Sequence, residues 1–272
     1  MNDYFTSDAI EPFFFGQANR KLFGCCHFLA QDQPKKGMII LCQAIGQEYI
    51  HGHRACYQLA TKLAAQGYAV LRFDYFGCGD SEGDFEEGGL NQWTTDILSA
   101  VDEAQARFGS GEVCLIGYRI GATLAIKAAE SIPDIHSLVL WEPIYNGHQY
   151  LSELAMKHSV FCKTLKCKFE RSPEDSSLPT EILGFPLRAD LIKEIKAVDL
   201  NNINLPNGCR SLTVLNRQRD LLDSTTELME KTSEHQVKLI ADHQLWEEEL
   251  YKRLIPVKTL DTIVSWVENT LP

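Results

Sequence analysis

The stretch VCLIGYRIGATLAIKAA, residues 113–129, decides the fold. An apolar run of strand length leads into two glycines four residues apart. A run rich in alanine leads out of them. This pattern predicts a strand, a sharp turn and a helix. Gly117 and Gly121 allow the helix to approach the strand closely, and Ala122 continues the small surface. A turn of this form, Gly-x-Ser-x-Gly, presents a serine nucleophile. Here the middle residue is Arg119.

Working outward from that turn, strands and helices alternate. FFFGQANRKLFGCCHFLA predicts two strands around a polar turn, and GMIILCQ a strand apolar on both faces. HRACYQLATKLAAQG has helical spacing and stops at Gly67. YAVLRFDY is the next strand and NQWTTDILSAVDEAQARFG an amphipathic helix. HSLVLWEP follows as a strand. After residue 208 the rhythm resumes with the strand SLTVLN, the helix STTELMEKTSE, the strand QVKLI and the helix VKTLDTIVSWVENTL.

Between Ile144 and Gly208 the alternation lapses into a polar stretch with four prolines and two helical segments, HQYLSELAMKHSVF and LRADLIKEIKAV. An insertion of this length inside an alternating fold usually covers a site. The expected organisation is one α/β domain, a mostly parallel sheet flanked by helices. Residues 1–143 and 209–272 form the core, and 144–208 form a helical cap.

The 272 residues carry a formal net charge of −11, which opposes binding to a phosphate backbone, so no nucleic-acid partner is expected. No segment approaches the roughly 20 apolar residues of a membrane helix, and MNDYFTSDAI lacks the regions of a signal peptide. The nine scattered cysteines fit a reducing compartment, and a cytoplasmic location is expected. Cys162 and Cys167 could pair or bind metal, but no second ligand pair has zinc spacing, so neither metal nor cofactor is expected.

The order of elements, with the turn after the fifth strand and an insertion after the sixth, resembles the α/β-hydrolase fold. The segments GQEYIHGHR, LRFDYFGCGDSEGD, GYRIGATLA and LWEPIYNGHQYLSEL resemble more closely the hydrolase-like proteins of exosortase systems and of natural-product gene clusters. That group also tends to carry arginine in the elbow. The hydrolase resemblance implies an acid after the seventh strand, Asp220 with Asp223 as second choice, and a histidine after the eighth, His243. It implies oxyanion donors at the N–H of Ile120 and at that of Ala44 or Ile45. It further implies that Asp80 and Ser81 hold the glycine-rich loop.

Arginine stays protonated and is no nucleophile, so acyl-enzyme chemistry at the elbow is excluded, and the flanking Tyr118 and Ile120 offer no replacement. Two roles for Arg119 remain open. It could join the helix N-terminus in clamping a ligand's carboxylate or phosphate. Alternatively it could close an internal ion pair with Glu142 or Glu48. His243, oriented by Asp220, could act as a general base. Glu48, His51, His53 and Arg54 follow the third strand, at the sheet edge where such folds bind ligands. Tyr145, Asn146, Tyr150 and Trp246 are expected around the pocket, and Cys78 or Ser81 could be a relocated nucleophile.

Two functions therefore compete. One is an enzyme acting on a small-molecule or carrier-bound acyl, ester or thioester substrate bearing an acidic group. The other is an inactive pseudo-hydrolase that serves a biosynthetic enzyme or carrier protein as partner. A homodimer is compatible with both.

Overall fold

The computed structural model describes residues 8–29, 36–166, 168, 170–171, 177–200, 205–216, 234–243, 245 and 255–272. The helix expected from residue 224 onward and Asp220, Asp223, Trp246 and Cys167 lie outside them.

Two ten-residue strands open the fold, β1 (Asp8–Gln17) and β2 (Arg20–Leu29), paired antiparallel. Then come β3 (Met38–Cys42), α1 (Gly46–Ala65), β4 (Ala69–Phe73), a 3-10 turn (Phe85–Glu87), α2 (Leu90–Phe108), β5 (Val113–Tyr118), α3 (Ile120–Ala129) and β6 (Ser137–Trp141). Between β6 and the next core strand lie α4 (Gly147–Leu165), the small hairpin β7 (Glu181–Ile182) and β8 (Phe185–Pro186), and α5 (Ala189–Lys196). The core closes with β9 (Arg210–Leu215), β10 (His235–Leu239) and α6 (Val257–Thr270).

The main sheet has eight strands in the order β1-β2-β4-β3-β5-β6-β9-β10. It is parallel from β4 to β10 and antiparallel at the β1 and β2 edge. This is the α/β-hydrolase arrangement, with a cap after β6. The central strands β3, β4, β5 and β6 are buried along their whole length. That is why their sequences read as continuous apolar runs and do not alternate. Helices α2 and α3 pack one face together with the cap, around Trp93, Leu124 and Ile195. Helices α1 and α6 cover the other face, around Leu59, Trp141 and Ile263.

One boundary differs from the sequence reading. GQEYIH reads as loop, yet α1 begins at Gly46. Gly46 has a φ of 58°, so the chain turns from β3 straight into the helix within a few residues. Glu48 therefore sits in the first helical turn, where the helix dipole favours a carboxylate.

The cap is tied to the core at its far end. The Glu194 carboxylate on α5 accepts from the backbone N–H of Leu90 and the side chain of Asn91, at the start of α2. Arg188 donates to the carbonyl of Glu86 at 2.6 Å, and Phe185 meets Phe85 edge-on at 5.2 Å. Glu194 thus caps a helix from another element. Glu194→Ala is expected to cost about 1 kcal/mol in urea denaturation, the usual loss of an N-terminal cap.

Candidate active site around the arginine elbow

Arg119 adopts φ 55° and ψ −124° between β5 and α3. This is a sparsely populated conformation for a residue with a side chain, and it costs about 1–3 kcal/mol. The two glycines make it possible. A Cβ on Gly117 would lie 2.2 Å from the Ala122 Cα, and one on Gly121 would lie 2.2 Å from the Cys42 carbonyl oxygen. The turn thus keeps the tight geometry of a nucleophile elbow.

The side chain is 6% exposed. Its Nε donates to Glu48 Oε1 at 2.9 Å. The other Glu48 oxygen accepts from the Tyr150 hydroxyl at 2.8 Å, and the guanidinium carbon stands 5.5 Å from the centre of the Tyr150 ring. Glu153, one turn along α4 from Tyr150, reaches Nη2 at 3.8 Å. Burial disfavours the arginine's charge, but the Glu48 and Glu142 carboxylates more than offset this and raise its pKa. Glu142 is itself buried and takes a positive φ of 47°. Of these two carboxylates Glu48 accepts a direct hydrogen bond from Arg119, while Glu142 contributes through its field.

Core and cap are therefore joined through one polar cluster, Arg119 and Glu48 from the core and Tyr150 and Glu153 from the cap. Tyr150 and Glu153 lie three apart on one helix face, so a single turn of α4 presents both. Glu153 was not among the residues expected from sequence. Its only signal was that spacing from Tyr150.

In front of the cluster lies a cavity of about 60 Å³. Its floor is the start of α1, with Ile45, Glu48 and His51, and its roof is the cap, with Leu154, Phe185 and Leu191. The lining is mostly apolar, and Lys157 and Tyr150 are among its polar members. Arg119 sits behind Glu48 and Tyr150 and does not line it.

The other expected residues divide. Ile120 and Ala44 are buried beside the elbow, and Ile45 lines the cavity. Tyr118 points instead beneath α1, against Trp141 at 4.6 Å and under Gly52, where a Cβ would meet its ring at 2.7 Å. Tyr145 is half-buried against the core, and Asn146 caps α4 by accepting from the Gln149 N–H. His51 lies 3.3 Å from Gln47 Nε2, while His53 is exposed and stacks edge-on with Tyr49. His243 is exposed in the segment after β10 and does not line the cavity. Its backbone N–H donates to the Asp242 side chain at 2.8 Å.

Ser81 holds its loop. Its hydroxyl donates to the Asp74 carbonyl at 2.6 Å and accepts from the Phe23 N–H at 2.9 Å. Burial raises the Cys78 thiol pKa, which disfavours the thiolate. Cys162 lies 3.5 Å from His158 Nε2. Among the described residues no group of three or more histidine, cysteine or acidic side chains could hold a metal. No helix among them is long and apolar enough to cross a membrane.

Residues 26–182, more than half of the chain, match the family described as serine aminopeptidase, S33. The human protein ABHD12B is 31% identical over 126 residues, which is 45% of this chain and 33% of that protein. The human mitochondrial palmitoyl-protein thioesterase ABHD10 is 38% identical over 86 residues, 32% of this chain and 26% of its own length. The chain thus matches about a third or less of these curated relatives. Among solved structures, Est1E of Butyrivibrio proteoclasticus with ferulic acid bound superposes at TM-score 0.68 and 19% identity, covering 95% of this chain and 98% of that one. The mouse α/β-hydrolase domain-containing protein 10 superposes at 0.56 and 17%, covering 95% and 97%.

Proposed function

This chain belongs to the serine aminopeptidase S33 family of α/β hydrolases, and from that premise we propose a protein that binds an acyl or similarly apolar small molecule beneath its cap without forming an acyl-enzyme. The observation that carries this reading is the Arg119–Glu48 pair. It fills the elbow with a buried, compensated cation where the family chemistry needs an exposed oxygen nucleophile. The apolar lining of the adjacent cavity supports an apolar ligand. Two relatives, named as a palmitoyl-protein thioesterase and a lysophosphatidylserine lipase, support an acyl class. The resemblance of GQEYIHGHR and GYRIGATLA to exosortase-associated and natural-product-cluster proteins is the ground for proposing a place in small-molecule biosynthesis, beside a biosynthetic enzyme or carrier protein.

A second reading keeps the protein an enzyme, with His243 and Asp220 activating water. The retained elbow backbone at Arg119 favours it, because strain of that kind persists where function uses it.

Turnover separates the two. Wild-type protein is expected to hydrolyse butyryl and octanoyl esters and thioesters no faster than buffer, to escape labelling by a serine-reactive phosphonate, and to bind the same acyl compounds saturably in calorimetry. Turnover that disappears in His243→Ala would establish the enzyme. Arg119→Ser asks whether an ester-cleaving site can be restored, and activity there would mean that the remaining machinery is intact.

A further inference from the structure

A second buried arginine, remote from the elbow cluster in its contacts, has no carboxylate in direct contact among the described residues. Arg72 stands on β4 opposite Cys25 of β2, and its side chain rises between the sheet and α1. It is 8% exposed. Among the described residues no acidic oxygen lies within 4 Å of it. Among those residues its hydrogen bond runs from Nε to His27 Nε2 at 2.9 Å. That bond makes Nε2 the acceptor and places the imidazole proton on Nδ1, so His27 is neutral and brings no negative charge. The guanidinium carbon lies 5.4 Å from the centre of the Tyr57 ring, and Tyr57 is 39% exposed. Cys25, its register partner on β2, is half-buried.

A desolvated cation with only a neutral partner is costly, and proteins seldom leave one uncompensated. Arg119 shows the ordinary solution in this same chain, a carboxylate at 2.9 Å. Among the described residues Arg72 has its Nε occupied and its two terminal nitrogens without a hydrogen-bond partner, and the residue keeps 8% of its surface exposed. Asp74, two residues along the chain, forms no ion pair with Arg72 within 4 Å, and its oxygens accept from the Tyr49 hydroxyl at 2.8 Å and the Asp80 N–H at 3.1 Å.

We propose that Arg72, with its Nε held by His27 and its plane flanked by Tyr57, is a binding site for a tetrahedral oxyanion, a phosphate group, gripped by the two terminal nitrogens. The planar fork of arginine matches two oxygens of such a group at once. The phosphate could be free or the end of a phosphomonoester.

The test uses phosphorus NMR line broadening with the full chain at constant ionic strength, chloride balancing each addition. Inorganic phosphate and methyl phosphate are each titrated against wild type, Arg72→Met and Arg72→Lys. Wild type is expected to broaden the signal saturably, with affinity at least tenfold weaker in Arg72→Met. Should Arg72→Met not fold by circular dichroism, Arg72→Lys keeps the charge and loses the fork, and at least threefold weaker binding is expected. Tighter binding of methyl phosphate assigns the site to a phosphomonoester, and equal binding assigns it to the free ion. No saturable broadening in wild type, or equal affinity in wild type and a folded Arg72 variant, overturns the proposal.

Discussion

Arg119→Met is expected to destabilise the fold by about 3–5 kcal/mol, the usual result of removing one member of a buried ion pair. The loss comes mainly from what remains. Glu48 is 4% exposed and would be left buried near a second buried carboxylate, Glu142, without its arginine and with the Tyr150 hydroxyl as a donor. The double variant Arg119→Met/Glu48→Leu should recover much of the loss, because an apolar pair of similar volume needs no compensation. Urea denaturation of the two single variants and the double variant measures the coupling. If the loss in the double variant equals the sum of the two single losses, the pair contributes nothing beyond its separate members. A strong coupling supports a cluster whose work is to bind the cap to the elbow.

The second large effect is on acid stability. Burial, with Arg72 adding to it, lowers the His27 pKa from 6.5 to about 4. Burial alone does the same to His235, whose ring nitrogens lie 2.6 Å from the Ser211 hydroxyl and 3.4 Å from that of Thr213. Both histidines are therefore neutral in the folded chain across a range in which the unfolded chain takes up protons. Their contribution is fully present above pH 6.5 and falls away as the pH drops toward 4. By linkage each removes about 3 kcal/mol over that interval. Asp74 and Asp96 work the other way, since burial raises their pKa values and protonation relieves the folded state. A series of urea midpoints from pH 7 to 4 should fall steeply, and His235→Gln should flatten the slope by about one proton. A slope unchanged by that substitution would mean that His235 is not held neutral.

Much of this architecture is legible in the sequence. The parallel strands read as apolar runs because both faces are covered, and the glycines at 117 and 121 announced a turn too tight for side chains. The start of α1 was not legible. Nothing in Gln47–His51 distinguishes a loop from a first helical turn until Gly46 takes its positive φ. Tyr118 is a similar case. Its neighbours in sequence are elbow residues, but alternation along β5 turns it away from the cavity and under Gly52.

By itself the sequence determined the form of the elbow and that its middle residue is arginine, because both follow from residue type and spacing along a few adjacent positions. It also supplied the candidates for Arg119's partner, Glu48 and Glu142, without ranking them. Only the tertiary structure ranked them. Glu48 is 71 positions from Arg119 and Tyr150 is 102 positions from Glu48, and no local pattern carries information over such separations. The packing of the cap on the core brings one turn of α4 over one turn of α1, and the burial this creates makes the carboxylate at 2.9 Å necessary.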